Sequence, residues 1–385
     1  MYLQRKLQDS IAEHFNDIPI TAIIGARQVG KSTLAKLLLK NKKDVIYLDL
    51  EIRTDKQLLE EPLQFFNINR SKIICIDEVQ LLPEVFLEIR HFVDNNPKVK
   101  FLILGSSSPE LLRQSSETLA GRIFYYELSP LILLEIEGVA DLETYWLRGG
   151  FPKSLLARNN RLAFVWLENY IKTFLERDLV LFGFNIPSNI MNRLWEMLAH
   201  INGQVLNYSQ LANSMGVSQP TIKHYVSILH NTFMLRLLPP YFINIKKRLI
   251  KSPKVYIRDT GILHALLNIS SFRELYSHPT YGSSWEIIVI ENIISVYASW
   301  KYYFYRTSNG AEIDLVLTKG SEVIAIEIKS STTPKITKGF WQALDDIKAT
   351  KAYVIAQVKM PYPLKGKIKV MVYPLMDFLN KPANE

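Results

Sequence analysis

Cysteine is nearly absent from this chain of 385 residues: Cys75 stands alone, so no disulfide can close within it, as suits a reducing compartment. Long apolar runs are missing too. "PLILLEI" is far too short to span a bilayer, and "WEIIVIENIISVYASW" is interrupted by Glu286 and Glu291. No secretory leader pattern opens the sequence, because Met1 leads into "YLQRKLQDSIAEHF", an amphipathic helix with charges spread through it. The expectation is a cytoplasmic protein outside any membrane. The most telling deficit is local. Between Glu196 and Asp259 there is no acidic residue, while Lys223, Arg236, Lys246, Lys247, Arg248, Lys251, Lys254 and Arg258 fall there. Residues 1–130 carry 17 Lys and Arg against 17 Asp and Glu, and 131–385 carry 29 against 20, so the net charge of +9 belongs to the second part. Such a stretch suits a polyanion partner or a solvated basic surface, and charge alone leaves both open.

What is present begins with a buried-strand pattern, "IPITAIIG" (18–25), that runs into "GARQVGKST" and then the helical "STLAKLLLK". Strand, glycine loop and helix are the context a phosphate-binding loop needs. Gly25, Ala26, Arg27, Gln28, Val29, Gly30, Lys31, Ser32 and Thr33 would hold ATP, with backbone N–H groups and a helix N-terminus facing phosphate. Lys31 would reach the β- and γ-phosphates, and Ser32 would place its hydroxyl on Mg²⁺. A second apolar run, "KIICIDEVQ", delivers Asp77 as a further metal ligand and Glu78 as the group that orients or deprotonates water. A third, "KVKFLILGSSS", ends in hydroxyls where a γ-phosphate sensor would sit, Ser106 first and Ser107 second; Ser108 equally suits a helix cap. Arg122 is either a γ-phosphate contact, in its own subunit or across a homo-oligomer interface, or an ordinary surface arginine. With "DVIYLDL" and "RIFYYEL" the segment offers five strands alternating with helices, a three-layer α/β domain with a mostly parallel sheet.

Together "GARQVGKST", "IICIDEVQ", "LILGSSS" and "LAGR" resemble the prokaryotic AAA-type ATPases that carry a C-terminal domain of unknown function. The resemblance continues through "RGGFP", "ERDL", "VYIRDTGILHALL" and "EIDLVL…IEIK", and so covers nearly the entire chain, with highly specific ATP motifs and looser later ones. It implies ATP hydrolysis.

From 131 to about 200 the pattern is helical, a lid-like bundle, with Arg177 and Asp178 expected to pair with each other. "NYSQLANSMGVSQPTIKHYVSILHNT" (207–232) then reads as a helix-turn-helix, turning at Gly216-Val217, with Ala212 where the helices cross. Gln219, Thr221, Lys223 and His224 would meet DNA bases, and Lys246, Lys247, Arg248 and Lys251 on a winged extension would reach phosphates. The alternative is a winged helix used only for packing.

In "EVIAIEIKSS", Glu327 and Lys329 share one face of a strand whose isoleucines take the other. Asp314 leaves the apolar face of the preceding strand. An acid followed by acid-x-lysine on the neighbouring strand resembles the PD-(D/E)xK nuclease core, in an α-β-β-β-α-β order. The resemblance implies that Asp314 and Glu327 hold Mg²⁺, that Lys329 stabilises charge at the phosphate, and that Glu286 is the extra helix-borne acid; Gln342 is a weak polar partner. The expected architecture is therefore α/β: a P-loop AAA-type ATPase core (1–130), a helical lid (131–195), a winged helix-turn-helix (196–265) and a restriction-endonuclease-like domain (266–385). The alternative is an ATP-gated interaction switch with an inert C-terminal domain.

Overall fold

The structure, a computed structural model, describes residues 2–107, 119, 121–242, 250–364 and 369–381. The chain forms two compact units, one of residues 1–131, 172–187 and 227–234, the other of 132–171, 188–226 and 235–385. Residues 131–195 are thus divided between the two.

The first unit is built on five parallel strands: β1 (Ile20–Ile24), β2 (Val45–Asp49), β3 (Ile73–Asp77), β4 (Lys100–Gly105) and β5 (Ile123–Glu127). Their spatial order is β2-β3-β4-β1-β5. Parallel strands need helices on both faces, which is why β1 is buried along its whole length and reads as an unbroken apolar run. Helices such as Lys31–Leu39 and Val85–Asn95 supply that cover, and Phe66, Phe92 and Phe101 interlock beneath them at 5.1–6.4 Å between ring centroids. The order has a functional consequence. β4 lies between β1 and β3, so whatever follows Gly105 stands between the loop after β1 and the acids after β3.

The second unit holds a six-stranded mixed sheet in the order β12-β13-β11-β10-β9-β8. β8 (Lys301–Arg306), β9 (Glu312–Lys319) and β10 (Glu322–Lys329) are an antiparallel meander; the helix Lys338–Ile347 then crosses over to the parallel β11 (Lys351–Ala356). Two further strands, β12 (Tyr362–Leu364) and β13 (Val370–Tyr373), extend the sheet beyond the order expected from sequence. The helix Tyr281–Val296 is apolar nearly all round because it is buried nearly all round.

Residues 188–257 run helix, helix, helix, hairpin. The helix Tyr208–Met215 is capped by Asn207, ends on left-handed Gly216 (φ 68°) and is followed by the helix Gln219–Asn231. The hairpin is β6 (Leu235–Leu238) with β7 (Lys254–Ile257), and Val205 bridges to Lys254 beside it. Past β6 the chain joins the larger sheet: Tyr241 N donates to Phe304 O (2.7 Å) and Phe304 N to Pro239 O (2.9 Å).

The motifs around 148–152 and 258–261 meet in one joint. Asp259 caps the helix Thr260–Leu266 through Ile262 N (3.0 Å) and also accepts from Gly150 N (2.7 Å). The chains approach so closely that a Cβ on Gly149 (φ +72°) would fall 2.1 Å from an Asp259 carboxylate oxygen. Only glycine fits there.

Candidate functional sites

At the carboxyl end of β1 the backbone crosses the start of the segment after β5 so tightly that a Cβ on Gly25 would lie 2.2 Å from Leu128 O. The loop then turns through left-handed Gln28 (φ 63°) and Gly30 (φ 103°) into the helix Lys31–Leu39. From behind, buried Arg5 donates to Val29 O (2.9 Å) and to Ser129 O. Lys31 is 5% exposed and donates to Gly25 O (3.0 Å), Ala26 O (2.9 Å) and Ser106 Oγ (2.9 Å). Burial pushes its ammonium below the usual lysine value, opposed chiefly by Glu78 and Asp77.

Ser106 Oγ is also 3.0 Å from Glu78 Oε2, so Lys31, Ser106 and Glu78 form one hydrogen-bonded line. Gln80, which sequence reasoning missed, closes it by donating to Glu78 and accepting from Ser106 N (3.0 Å). Ser107 is buried beside it, its hydroxyl without a partner among the described residues. Asp77 accepts from Glu78 N (2.9 Å) and from the Tyr47 hydroxyl, which itself takes a hydrogen bond from Ser32. Ser32 and Asp77 therefore converge on one phenol. Their hard oxygens suit Mg²⁺, and a buried ammonium over backbone carbonyls suits phosphate, so these residues fit a metal-bound nucleotide. Ala26 and Val29 are buried in the loop, while Thr33 is exposed.

Arg122 does not join them. It precedes β5 at the amino end of the sheet, level with Pro19 and so about 20 Å of strand from Gly25. There it pairs with Asp94, Nη2 to Oδ2 3.1 Å. That distance separates it from the loop of its own chain, which leaves a role across an interface or an ordinary surface arginine paired with Asp94. Asp178 does not pair with Arg177 as expected; it binds Arg27 of the loop, which also binds Glu51. Ser108 lies outside the described residues.

In the second unit, Asp314 comes close enough to Glu286 and Glu327 to raise the proton affinity of both. Burial, then Asp314, pushes Glu286 up to about 7 and Glu327 to about 8. The cation between them belongs to the protein. Lys254, 3% exposed on β7, reaches Glu312 Oε1 (2.8 Å) and Asp314 Oδ1 (3.4 Å). Its burial works against the charge, but Asp314, Glu286 and Glu312 more than offset this. The other Asp314 oxygen accepts from Ile328 N (2.9 Å), Glu286 accepts from Tyr256 (2.8 Å), and Lys329 pairs with Glu327 along the strand (2.6 Å). Among the described residues no three His, Cys, Asp or Glu side chains converge to hold a metal ion. Each of the two carboxylates that the sequence reading assigns to Mg²⁺ thus carries an ammonium group, Lys254 on Asp314 and Lys329 on Glu327. Gln342, on the helix Lys338–Ile347, is exposed.

The basic stretch also needs correction. Arg236 and Arg258 are buried on either side of Glu291, with Arg236 Nη2 2.8 Å and Arg258 Nη2 3.1 Å from Glu291 Oε2. With Lys254, three of the five described cations there are internally paired. Lys223 and Lys251 are exposed, as are Gln219 and His224, with Thr221 half-buried; Lys246, Lys247 and Arg248 lie outside the described residues. No helix of the described residues is long and apolar enough to cross a membrane.

Residues 17–137 match the family described as an AAA domain, 139–273 a domain of unknown function (DUF8612) and 281–378 another (DUF4143). An uncharacterized protein of Mycobacterium tuberculosis is 38% identical over 351 residues, 91% of this chain and 79% of that protein. An uncharacterized protein of Haemophilus influenzae is 23% identical over 366 residues, 85% of each. The solved ORC2 protein of Aeropyrum pernix, in its ADP form, is similar at 12% identity with a TM-score of 0.34, over 62% of this chain and 87% of that one. A likeness so slight carries no argument.

Proposed function

Because this chain belongs to the protein family of its mycobacterial relative, with an AAA-type P-loop domain over residues 17–137, we propose that it hydrolyses ATP and couples turnover to contact with DNA. The observation that carries the first part is the line Lys31–Ser106–Glu78 across the carboxyl ends of β1, β4 and β3. Phosphate oxygens in the 25–33 loop would take Lys31 from the neutral carbonyls of Gly25 and Ala26, giving the buried ammonium a charged partner. Mg²⁺, held by Ser32 and Asp77, would supply neutralisation of the β- and γ-phosphate charge. Glu78 accepts the proton of the attacking water as its oxygen bonds to γ-phosphorus and the β–γ bridge breaks, leaving ADP and phosphate. Ser106, bonded to both Lys31 and Glu78, registers whether a γ-phosphate is there.

DNA contact is supported by exposed Gln219, Lys223 and His224 at the start of the helix Gln219–Asn231, with Thr221, Lys251, Lys246, Lys247 and Arg248 as further contacts. Arg122 would act on a neighbouring copy in a homo-oligomer. For the C-terminal domain Lys254 favours the second reading, an inert partner in an ATP-gated switch, over a PD-(D/E)xK nuclease. A Glu78→Gln variant should bind ATP yet turn over at least about a hundredfold more slowly; unchanged turnover removes Glu78 from the mechanism. Stimulation of wild-type turnover by duplex DNA tests the coupling, and its absence together with salt-independent binding leaves the switch. Plasmid cut in Mg²⁺ or Mn²⁺ by the wild type but not by Asp314→Ala would restore the nuclease.

A further inference from the structure

Arg27 stands in the middle of the phosphate loop, yet its guanidinium is divided between carboxylates of two other elements. Nη1 donates to Asp178 and Nη2 to Glu51. Glu51 lies just past β2, and 3.8 Å from Arg177. Asp178 is 4% exposed and ends the π turn Phe174–Asp178, which continues the helix Asn160–Thr173. A π turn is a strained insertion, and such turns collect at functional sites. The neighbouring Gln28 carries the left-handed backbone that curls the loop. Holding Arg27 therefore holds the loop at its bend.

The same charges reach the nucleotide groups. Burial disfavours the Asp178 carboxylate and raises its proton affinity, and Arg27 is the main force opposing this. Arg27 also feels Glu78, and Lys31 feels both Arg27 and Asp178. Phosphate charge beside Lys31 must then draw on Arg27 and lessen its compensation of Asp178, a carboxylate too buried to turn to water instead.

We infer that Arg27 is a positioning residue through which a nucleotide in the loop loosens the segment 172–187, by competing with Asp178 and Glu51 for its guanidinium. The inference rests on the reading of the loop as an ATP site and goes beyond it, because it names the element that responds. The test is amide hydrogen exchange of residues 172–187 in the full chain, with and without ATPγS, while fluorescent ATP separately reports occupancy. In the wild type, exchange across this segment should quicken about tenfold on binding, a modest change in a local opening equilibrium. In Arg27→Gln the segment should stay silent at saturating nucleotide, and in Asp178→Asn, which keeps shape and hydrogen bonding, likewise. Arg27→Lys, with charge but no fork, should respond weakly. A wild-type response retained in Arg27→Gln or Asp178→Asn overturns the inference, as does nucleotide binding that leaves 172–187 unmoved. No binding by the wild type would instead defeat the ATP reading and this one with it.

Discussion

Lys254→Met removes the internal cation of the acid cluster while keeping the length and most of the volume of the side chain. Removing one partner of a buried ion pair costs about 3–5 kcal/mol, because the other charge stays behind uncompensated. Of the two carboxylates that Lys254 reaches, the Asp314 side chain is 11% exposed and the Glu312 side chain 32%, so water relieves the second but not the first. About 3 kcal/mol is the expected loss at pH 8. At pH 5.5 it should shrink to about 1 kcal/mol, since Glu286 and Glu327, already raised, take up protons and lower the negative charge around Asp314. Urea unfolding followed by tryptophan fluorescence at the two pH values measures both numbers; Trp146 and Trp285 lie in the same unit, 5.0 Å apart. A penalty below about 1 kcal/mol at pH 8, or one equal at both pH values, refutes the account. A second arm adds Mg²⁺ or Mn²⁺ at millimolar concentration. It should stabilise Lys254→Met and leave the wild type unchanged, and a stabilised wild type would mean that the cluster accepts a metal with its lysine in place.

Gly149→Ala drives a methyl group into Asp259 and demands a backbone that alanine avoids, so strain, a lost cap and stranded donors together cost about 3–6 kcal/mol. Gly183→Ala, at φ +85° with open space around it, should cost only about 1–2 kcal/mol, and equal losses in thermal unfolding would remove the steric explanation. Asp259 is pushed up to about 6 by burial, and Glu286 and Glu327 higher still. A raised carboxyl stabilises the fold below its unfolded value and loses that contribution as pH climbs through the folded one, so the melting temperature should fall from pH 5 to pH 8.5. Glu327→Gln should flatten that slope; an unaltered slope places the protons elsewhere. Lys223→Ala with His224→Ala should weaken DNA binding and, for the one lysine charge removed, lower the salt dependence by about one ion. Unchanged affinity in a filter-binding titration would take the helix Gln219–Asn231 away from DNA.

The phosphate loop was legible because its chemistry is local: "GARQVGKST" carries its own turn, donors and ammonium within nine consecutive positions. Asp77, Glu78 and Ser106 followed from strand ends, since parallel strands deliver their last residues to one edge. Asp178 was not legible, because its partner Arg27 lies 151 positions away and nothing in "ERDL" announces it. The basic stretch misled for the same reason. Arg236, Lys254 and Arg258 look like free charge in a window without acids, yet Glu291 and Asp314 wait 33 to 60 positions downstream. Glu327 and Lys329 were correctly placed on one face, but whether that face holds a metal or an ion pair depends on Lys254, which arrives from another sheet. β12 and β13 went unread because "YPL" and "VMVY" are too short to show a period.

The hairpin after the helix Gln219–Asn231 has its loop hydrogen-bonded to β8 and its second strand plugged into the acid cluster. A gene fragment stopping at residue 265, the natural place to cut for a stand-alone DNA reader, would bare the flank of its own hairpin and take from Lys254 both carboxylates it pairs with. Recombination that swapped the last 120 or so residues would meet the same obstacle. These two halves must be inherited, expressed and crystallised as one piece.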